Sequence, residues 1–410
     1  MIIKPFAAIR PRDDLAPLAS SLPSGSQERR AMSKSLSSLH IDAAEIPAAT
    51  EPEELYSFGR QMLDERCADG TFITEDAPCF YLYKLVREGH SQIGVAACCS
   101  IDDYASGVIK KHENTIEAKE RNCVRRQDTL NAQTGPIYLA YRDNEKVDAL
   151  VEEARKAEPL YSFVSEEGVR NTVWRISDSA TIDALVEAFA EVPTAYIADG
   201  HHRTAAAVSV GFTRREKRGT FVGAAESDYF MSVLFPANQL SILSFNRLVR
   251  DLNLLSGDAF LDRLVGEQGA YEMLCEQEEP FVPTKKGEMG VYLGGRWYGV
   301  VVRESVVTDD PVFSLDVSLL QTHVLGPILG IEDPRVDERI SFISGIQGVG
   351  ELSSRVDAID AEGGSAVAFS MYPTAIEELL RVADAGRLMP PKSTWFEPKL
   401  RSGLFIHDLL

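Results

Sequence analysis

Apolar positions along the chain change period repeatedly, and each change marks an element. Residues 51–67 carry Leu55, Phe58 and Met62 on one face behind Pro52, a residue suited to a first turn, and predict a helix. Phe80–Val86 and Ile93–Cys99 are apolar runs around a break at Glu88–His90, which predicts a β-hairpin. Residues 117–131 read as a charged helix and Pro136–Tyr141 as a strand. Ile182, Leu185, Val186 and Phe189 recur at i, i+3, i+4 and i+7, the stripe of an amphipathic helix. Thr194–Ala198 is a short buried-strand pattern that stops at Asp199-Gly200, and an Ala-rich helix from about His202 to Val210 follows. Further on, Tyr229–Phe235, Leu240–Phe245, Gly290–Leu293, Trp297–Val302 and Ala366–Ser370 read as strands. Leu315–Leu329 reads as one long helix, and Thr374–Ala385 as a helix closed by Gly386. The start holds a short strand at Ile2-Ile3, and the Ser-rich stretch from Leu22 to Ser38 predicts a loop leading into a short helix. Arg214–Arg218 predicts a solvated loop. Helices and strands interleaved in this way define an α/β protein with a mixed sheet.

Composition narrows the function classes. The chain has 410 residues, 44% of them apolar and 25% charged, which is ordinary globular usage. Its 42 Lys and Arg against 62 Asp and Glu give a net charge of -20, which repels phosphate backbones and makes long nucleic acid a poor partner. No apolar run approaches the ~20 residues of a membrane span, and no secretory signal is visible. The six cysteines show no CxxC spacing, and Cys98-Cys99 sit in an apolar run as core residues. The expected compartment is the cytoplasm.

Several familiar sites are absent. The chain lacks GxxxxGK[ST], GxGxxG and GxSxG, and His112-Glu113-Asn114-Thr115-Ile116 misses HExxH at its last position. The sharpest cluster that remains is Asp199-Gly200-His201-His202-Arg203-Thr204, between a strand and a helix. Gly200 permits a tight turn, and the first helical amides, Arg203 and the Thr204 hydroxyl compose an anion cradle. Asp199 can hold a divalent cation or orient a histidine. Adjacent histidines rarely share one metal and no second ligand cluster shows metal spacing, so a zinc site is not expected. Lys110-Lys111-His112-Glu113-Asn114-Thr115, followed by Lys119, Arg121, Arg125 and Arg126, is the most basic stretch. It reads equally as a phosphate-binding segment or as a solvated helix neutralised by Glu117 and Glu120. Near the end, Met389-Pro390-Pro391-Lys392-Ser393-Thr394-Trp395-Phe396 presents Lys392, Ser393 and Thr394 as weaker substrate contacts, with the aromatics docked on the core.

IKPFAAIRP at the start, IKKHENT around His112, YIADGHHRTAA around Asp199, NRLVRDL from Asn246 and MPPKSTWFEPKLRSGL at the end resemble the domain of unknown function 1015 family, in order over nearly the whole chain. Where that family carries Pro-Tyr-Asp-Val, this chain has Leu22-Pro23-Ser24-Gly25. More distantly, the His-Glu motif, the Pro-Ile strand and the Asp-Gly-His-His-Arg turn are similar to the ParB/sulfiredoxin superfamily and its free-serine kinases. That resemblance implies an N-terminal α/β segment over 1–89, a ParB/sulfiredoxin-like phosphate-binding unit over 90–215 and a C-terminal α/β domain over 216–410. It implies a small-molecule kinase using ATP or ADP and Mg²⁺, with L-serine or a similar hydroxylated metabolite as acceptor. Glu113 falls at the base position, and Asp199, His201 and His202 join it in catalysis, Asp199 as the Mg²⁺ ligand. Gly200, Arg203, Thr204, Lys111, His112 and Thr115 would bind the nucleotide phosphates. Two alternatives stand beside it. One is a nucleotide-gated regulatory protein without catalysis. The other is a metal-dependent hydrolase in which Glu113, Asp199, His201 and His202 activate water. The partners implied are a nucleotide and a small molecule, with self-association left open.

Overall fold

A computed structural model describes residues 1–21, 52–219 and 222–410. The segment replacing the Pro-Tyr-Asp-Val motif and the predicted loop over 22–38 lie outside the described residues. The chain forms two compact units, residues 1–240 with 398–410, and residues 241–397.

The first unit is built on a nine-stranded sheet. In chain order its strands are β1 (Ile3–Lys4), β2 (Phe80–Arg87), β3 (His90–Ser100), β4 (Ile109–Lys110), β5 (Ile137–Tyr141), β6 (Tyr161–Val164), β7 (Arg170–Ile176), β8 (Ala195–Asp199) and β9 (Tyr229–Pro236). They are arranged β6-β7-β2-β3-β9-β5-β8-β4, with β1 also paired to β3. Pairs β9–β5 and β8–β4 are parallel and the others antiparallel, so the sheet is mixed as the alternation predicted. Strands from residues 1–89 and from 90–215 share this one sheet. The expected hairpin is β2–β3, closed at Arg87↔His90 by Glu88 and Gly89, whose φ values of 50° and 83° suit a tight primed turn. Cys98 and Cys99 are fully buried in β3, as their apolar run implied.

Both faces of the sheet are covered, which is why its strands read as continuous apolar runs. On one face Leu82, Val95, Leu139, Ile197 and Leu234 pack with Leu185 and Phe189 of helix 179–190. On the other, Tyr81 and Tyr83 meet Phe405 from the returning C-terminal segment. The helix after β8 runs from His201 to Arg218, so the charge run at 214–218 is helical. Helical order is favoured there because the arginines have acidic partners. Arg214 pairs with Asp128, Arg215 with Asp102 and Asp228, and Arg218 with Asp228.

The second unit holds a six-stranded antiparallel sheet of β10 (Phe245–Val249), β11 (Tyr271–Gln277), β12 (Glu288–Leu293), β13 (Arg296–Val302), β14 (Ile340–Ser344) and β15 (Val367–Met371), in the order β11-β13-β12-β15-β10-β14. Gly294 and Gly295, both at positive φ, close the β12–β13 hairpin. The long helix expected over 315–329 is instead an α-helix at Asp316–Leu320 followed by a π-turn at Gln321–Leu325. Gly326-Pro327 accounts for the break, since proline has no amide to donate and crowds the residue before it.

Candidate functional site

The site begins at the sheet edge. β4 pairs in parallel with β8, Ile109 opposite Ala195 and Lys110 opposite Tyr196, so the 111–116 loop leaves the sheet beside the end of β8. A register shift between Ile197 and Asp199 breaks the β8–β5 ladder and re-aims the strand end. Gly200 follows at φ 102°, ψ 26°, a conformation that favours glycine, and the helix opens at His201. The first amides of that helix have no intrahelical acceptors, so the positive end of its dipole points out of the turn.

Two clusters far apart in sequence therefore meet. The His112 and His201 rings stack edge to face with centroids 4.5 Å apart. One donor atom each from His112, Glu113 and His201 lies within 4.8 Å of the others. Both histidines are buried and Glu113 is half-buried. Burial drives the His112 pKa down to about 4, against a backbone hydrogen bond at Ile197 and the Asp199 charge. Burial also pushes His201 well below the usual range, helped by His112 beside it. Both rings are thus neutral at pH 7. His202 ties the two segments together, its Nε2 accepting from the Ile116 amide at 2.9 Å. That contact leaves the proton of a neutral ring on Nδ1.

Other predicted residues occupy distinct positions. The Asp199 carboxylate is 3.4 Å from Arg203 and 3.9 Å from Lys399. Arg203 also donates to the Pro136 carbonyl at 2.7 Å. Thr204 is fully buried and its hydroxyl donates to the Gly200 carbonyl at 3.1 Å, so it shapes the turn. Thr115 donates to Glu120 at 2.6 Å, and Lys111 is exposed. In the following helix, Arg121 pairs with Glu117 at 2.7 Å, one of the neutralising i,i+4 contacts. Beside Arg203, a shallow cleft is lined by Arg126, Gln127, Thr134 and Gly135. Lys392, Ser393 and Thr394 belong to the second unit. There Lys392 has φ 56° and its ammonium sits 5.6 Å from the Phe245 ring centroid. Its carbonyl accepts from Arg247, and the Ser393 hydroxyl donates to the Pro390 carbonyl at 2.6 Å.

Sequence reasoning missed Lys399, the cation beside Asp199. Its signal is the Glu-Pro-Lys-Leu end of the C-terminal motif, seven residues past Lys392.

A family model described as "Protein of unknown function (DUF1015)" matches residues 3–318. No curated protein matches the chain. Among solved structures, a free serine kinase in complex with AMP overlaps at 14% identity and TM-score 0.36, covering 77% of this chain and 91% of its own. SbnI with a C-terminal truncation, from Staphylococcus aureus, overlaps at 11% identity and TM-score 0.37, covering 75% of this chain and 85% of its own. A conserved hypothetical protein from Pyrococcus furiosus does so at 13% and 0.34, covering 77% and 97%.

Proposed function

The chain belongs to the DUF1015 family, whose description assigns no activity, and from its site we propose a phosphotransferase that moves a phosphoryl group from ATP or ADP to the hydroxyl of a small metabolite. The observation that carries this reading is the meeting of Glu113 with the helix start at His201. A carboxylate that can take a hydroxyl proton there faces a turn whose amides and cations suit phosphoryl oxygens. L-serine is the first acceptor to test, because the Glu113 and Asp199–Arg203 motifs resemble those of free-serine kinases.

Phosphoryl transfer asks little covalent chemistry of a protein and much positioning. The acceptor oxygen bonds to phosphorus as the phosphoanhydride bond to the nucleotide breaks, and Glu113 accepts the hydroxyl proton. The amides after Gly200, with Arg203 and Lys111, neutralise the phosphoryl oxygens. Arg126 and Arg203, which line a shallow cleft beside the turn, are candidate contacts for the nucleotide phosphates. Mg²⁺ binds through oxygen donors and substrate phosphates, and the half-exposed Asp199 carboxylate fits that demand. When bound, the ion would offset the charge of the phosphates.

The test is product formation from MgATP or MgADP with L-serine, followed as phosphoserine. Glu113→Gln is expected to lower turnover by about 10²–10⁴-fold while nucleotide affinity stays within a few-fold. Undiminished phosphoserine in Glu113→Gln and Asp199→Asn would overturn the assignment. Phosphate release that ignores the acceptor would point to hydrolysis at the same residues.

A further inference from the structure

We propose that His112, Glu113 and His201 form a binding site for one divalent transition metal ion, with Zn²⁺ the ion this donor set suits best. The three donor atoms come from the loop after β4 and the helix start after β8 and lie within 4.8 Å of one another. A tetrahedral Zn²⁺ with bonds of about 2.0–2.2 Å holds its donors roughly 3.3–3.6 Å apart, a closure within reach of side-chain rotation. His201 is 8% exposed, and its Nε2 is buried with no hydrogen-bond partner among the described residues. A native fold seldom leaves such an atom unsatisfied without a functional reason.

The second contact of His112 strengthens the case. Its ring is hydrogen-bonded to the Ile197 backbone, the kind of outer contact that fixes a metal-bound imidazole in orientation. Donor chemistry sets the metal class. Two imidazoles and one carboxylate suit Zn²⁺ and its first-row neighbours, whereas Mg²⁺ prefers oxygen donors throughout. Three protein ligands leave an open position, the pattern of catalytic rather than structural zinc. Water or a substrate oxygen would fill it at the start of the helix. A Glu113 bound through one oxygen keeps its other oxygen free for a proton, so the site is compatible with phosphoryl transfer without depending on it.

Adjacent histidines and the lack of a second ligand cluster argue against zinc only on sequence spacing. The β4–β8 pairing supplies that cluster as His112-Glu113, and only His201 of the histidine pair joins it.

The experiment uses the full chain without a polyhistidine tag, stripped with a chelator and titrated with Zn²⁺ by calorimetry and with Co²⁺ by visible absorption. Wild type is expected to bind one equivalent. His112→Ala and His201→Ala should each weaken Zn²⁺ binding more than about 100-fold, beyond the 10–100-fold that losing an outer-shell contact costs. Glu113→Gln should weaken it less, and His90→Ala, away from the site, should leave it unchanged. Absence of stoichiometric binding by wild type, or binding that survives both histidine substitutions, overturns the proposal. Thermal melts of each variant show whether it folds, and the wild-type titration decides the question if one does not. Zinc binding without phosphoserine formation would sink only the kinase reading. Phosphoserine formation by chelated protein that binds no zinc would sink only this one.

Discussion

Replacing Gly200 with alanine tests the turn at its most constrained point. Gly200 has φ 102°, and a non-glycine residue held in such backbone costs about 1–3 kcal/mol. An added Cβ would lie 3.0 Å from Arg203 Nη2, 3.2 Å from Nε and 3.3 Å from Cζ. Those distances are tight, so the guanidinium must move. Moving it strains the 2.7 Å bond to the Pro136 carbonyl, and hydrogen bonds to charged groups are worth about 1.5–3 kcal/mol. The two effects together predict a loss of roughly 2–5 kcal/mol. At about 2–4 °C per kcal/mol for a unit of this size, Tm should fall by about 4–20 °C. Nucleotide affinity, read by calorimetry, should drop at least about tenfold because Arg203 no longer faces the turn. Gly107→Ala is the matched control, with φ 81° and no described residue within 4 Å of the new Cβ. It should show the backbone cost without the loss of affinity. A Gly200→Ala protein that melts with wild type and binds nucleotide equally well would refute this account of the turn.

Arg203→Ala should weaken ATP or ADP binding about 10–100-fold, read by calorimetry, since it removes a charge-assisted phosphate contact. Glu75→Ala addresses the scaffold. Glu75 is 8% exposed and accepts from Arg10 at 2.6 Å and Arg175 at 2.7 Å, so its loss leaves the buried Arg10 with only the exposed Asp13 as an acidic partner. Breaking such a pair costs about 3–5 kcal/mol, to be read from the denaturant midpoint. In the second unit, burial raises the Asp316 pKa to about 6, from an ordinary value near 4. A raised carboxyl favours the fold below the unfolded value, and that contribution is lost as pH rises through about 6. Asp316→Asn, which keeps an acceptor for the Gly287 amide, should therefore raise Tm at pH 8 relative to wild type and have little effect at pH 4. An equal Tm difference at both pH values would count against the assignment.

How much of this was legible in the sequence depended on how local each feature was. Strands buried on both faces announce themselves as apolar runs, and β2, β3, β5, β8 and β9 all fall where those runs stand. Strand-to-helix punctuation at Asp199-Gly200 gave the turn, because only a few residues tolerate φ near 102°. The helical state of 214–218 was hidden because two of its stabilisers, Asp102 and Asp128, lie far along the chain. Two-residue strands carry no periodicity at all. The edge strand Ile109–Lys110 and the His407–Asp408 pairing with Ala132–Gln133 are of this kind.

That limit falls on the feature that matters most. Sequence supplied both halves of the site as motifs, but their meeting rests on β4, whose two residues pair with Ala195 and Tyr196. Once that register is set, the chemistry follows from spacing. His112 and Glu113 lie two and three residues past Lys110, while His201 lies two past the end of β8, so both segments emerge from the same end of parallel strands. Ligands gather at the carboxyl ends of strands in α/β sheets for this reason: loops and helix starts converge there while the strands hold them rigidly. Lys399 makes the same point from the other terminus. It reaches Asp199 because Pro398–Leu410 returns to the first unit, a tertiary event that leaves no periodic trace. A motif in this chain is thus a parts list, and the pairing of short edge strands decides which parts become one site.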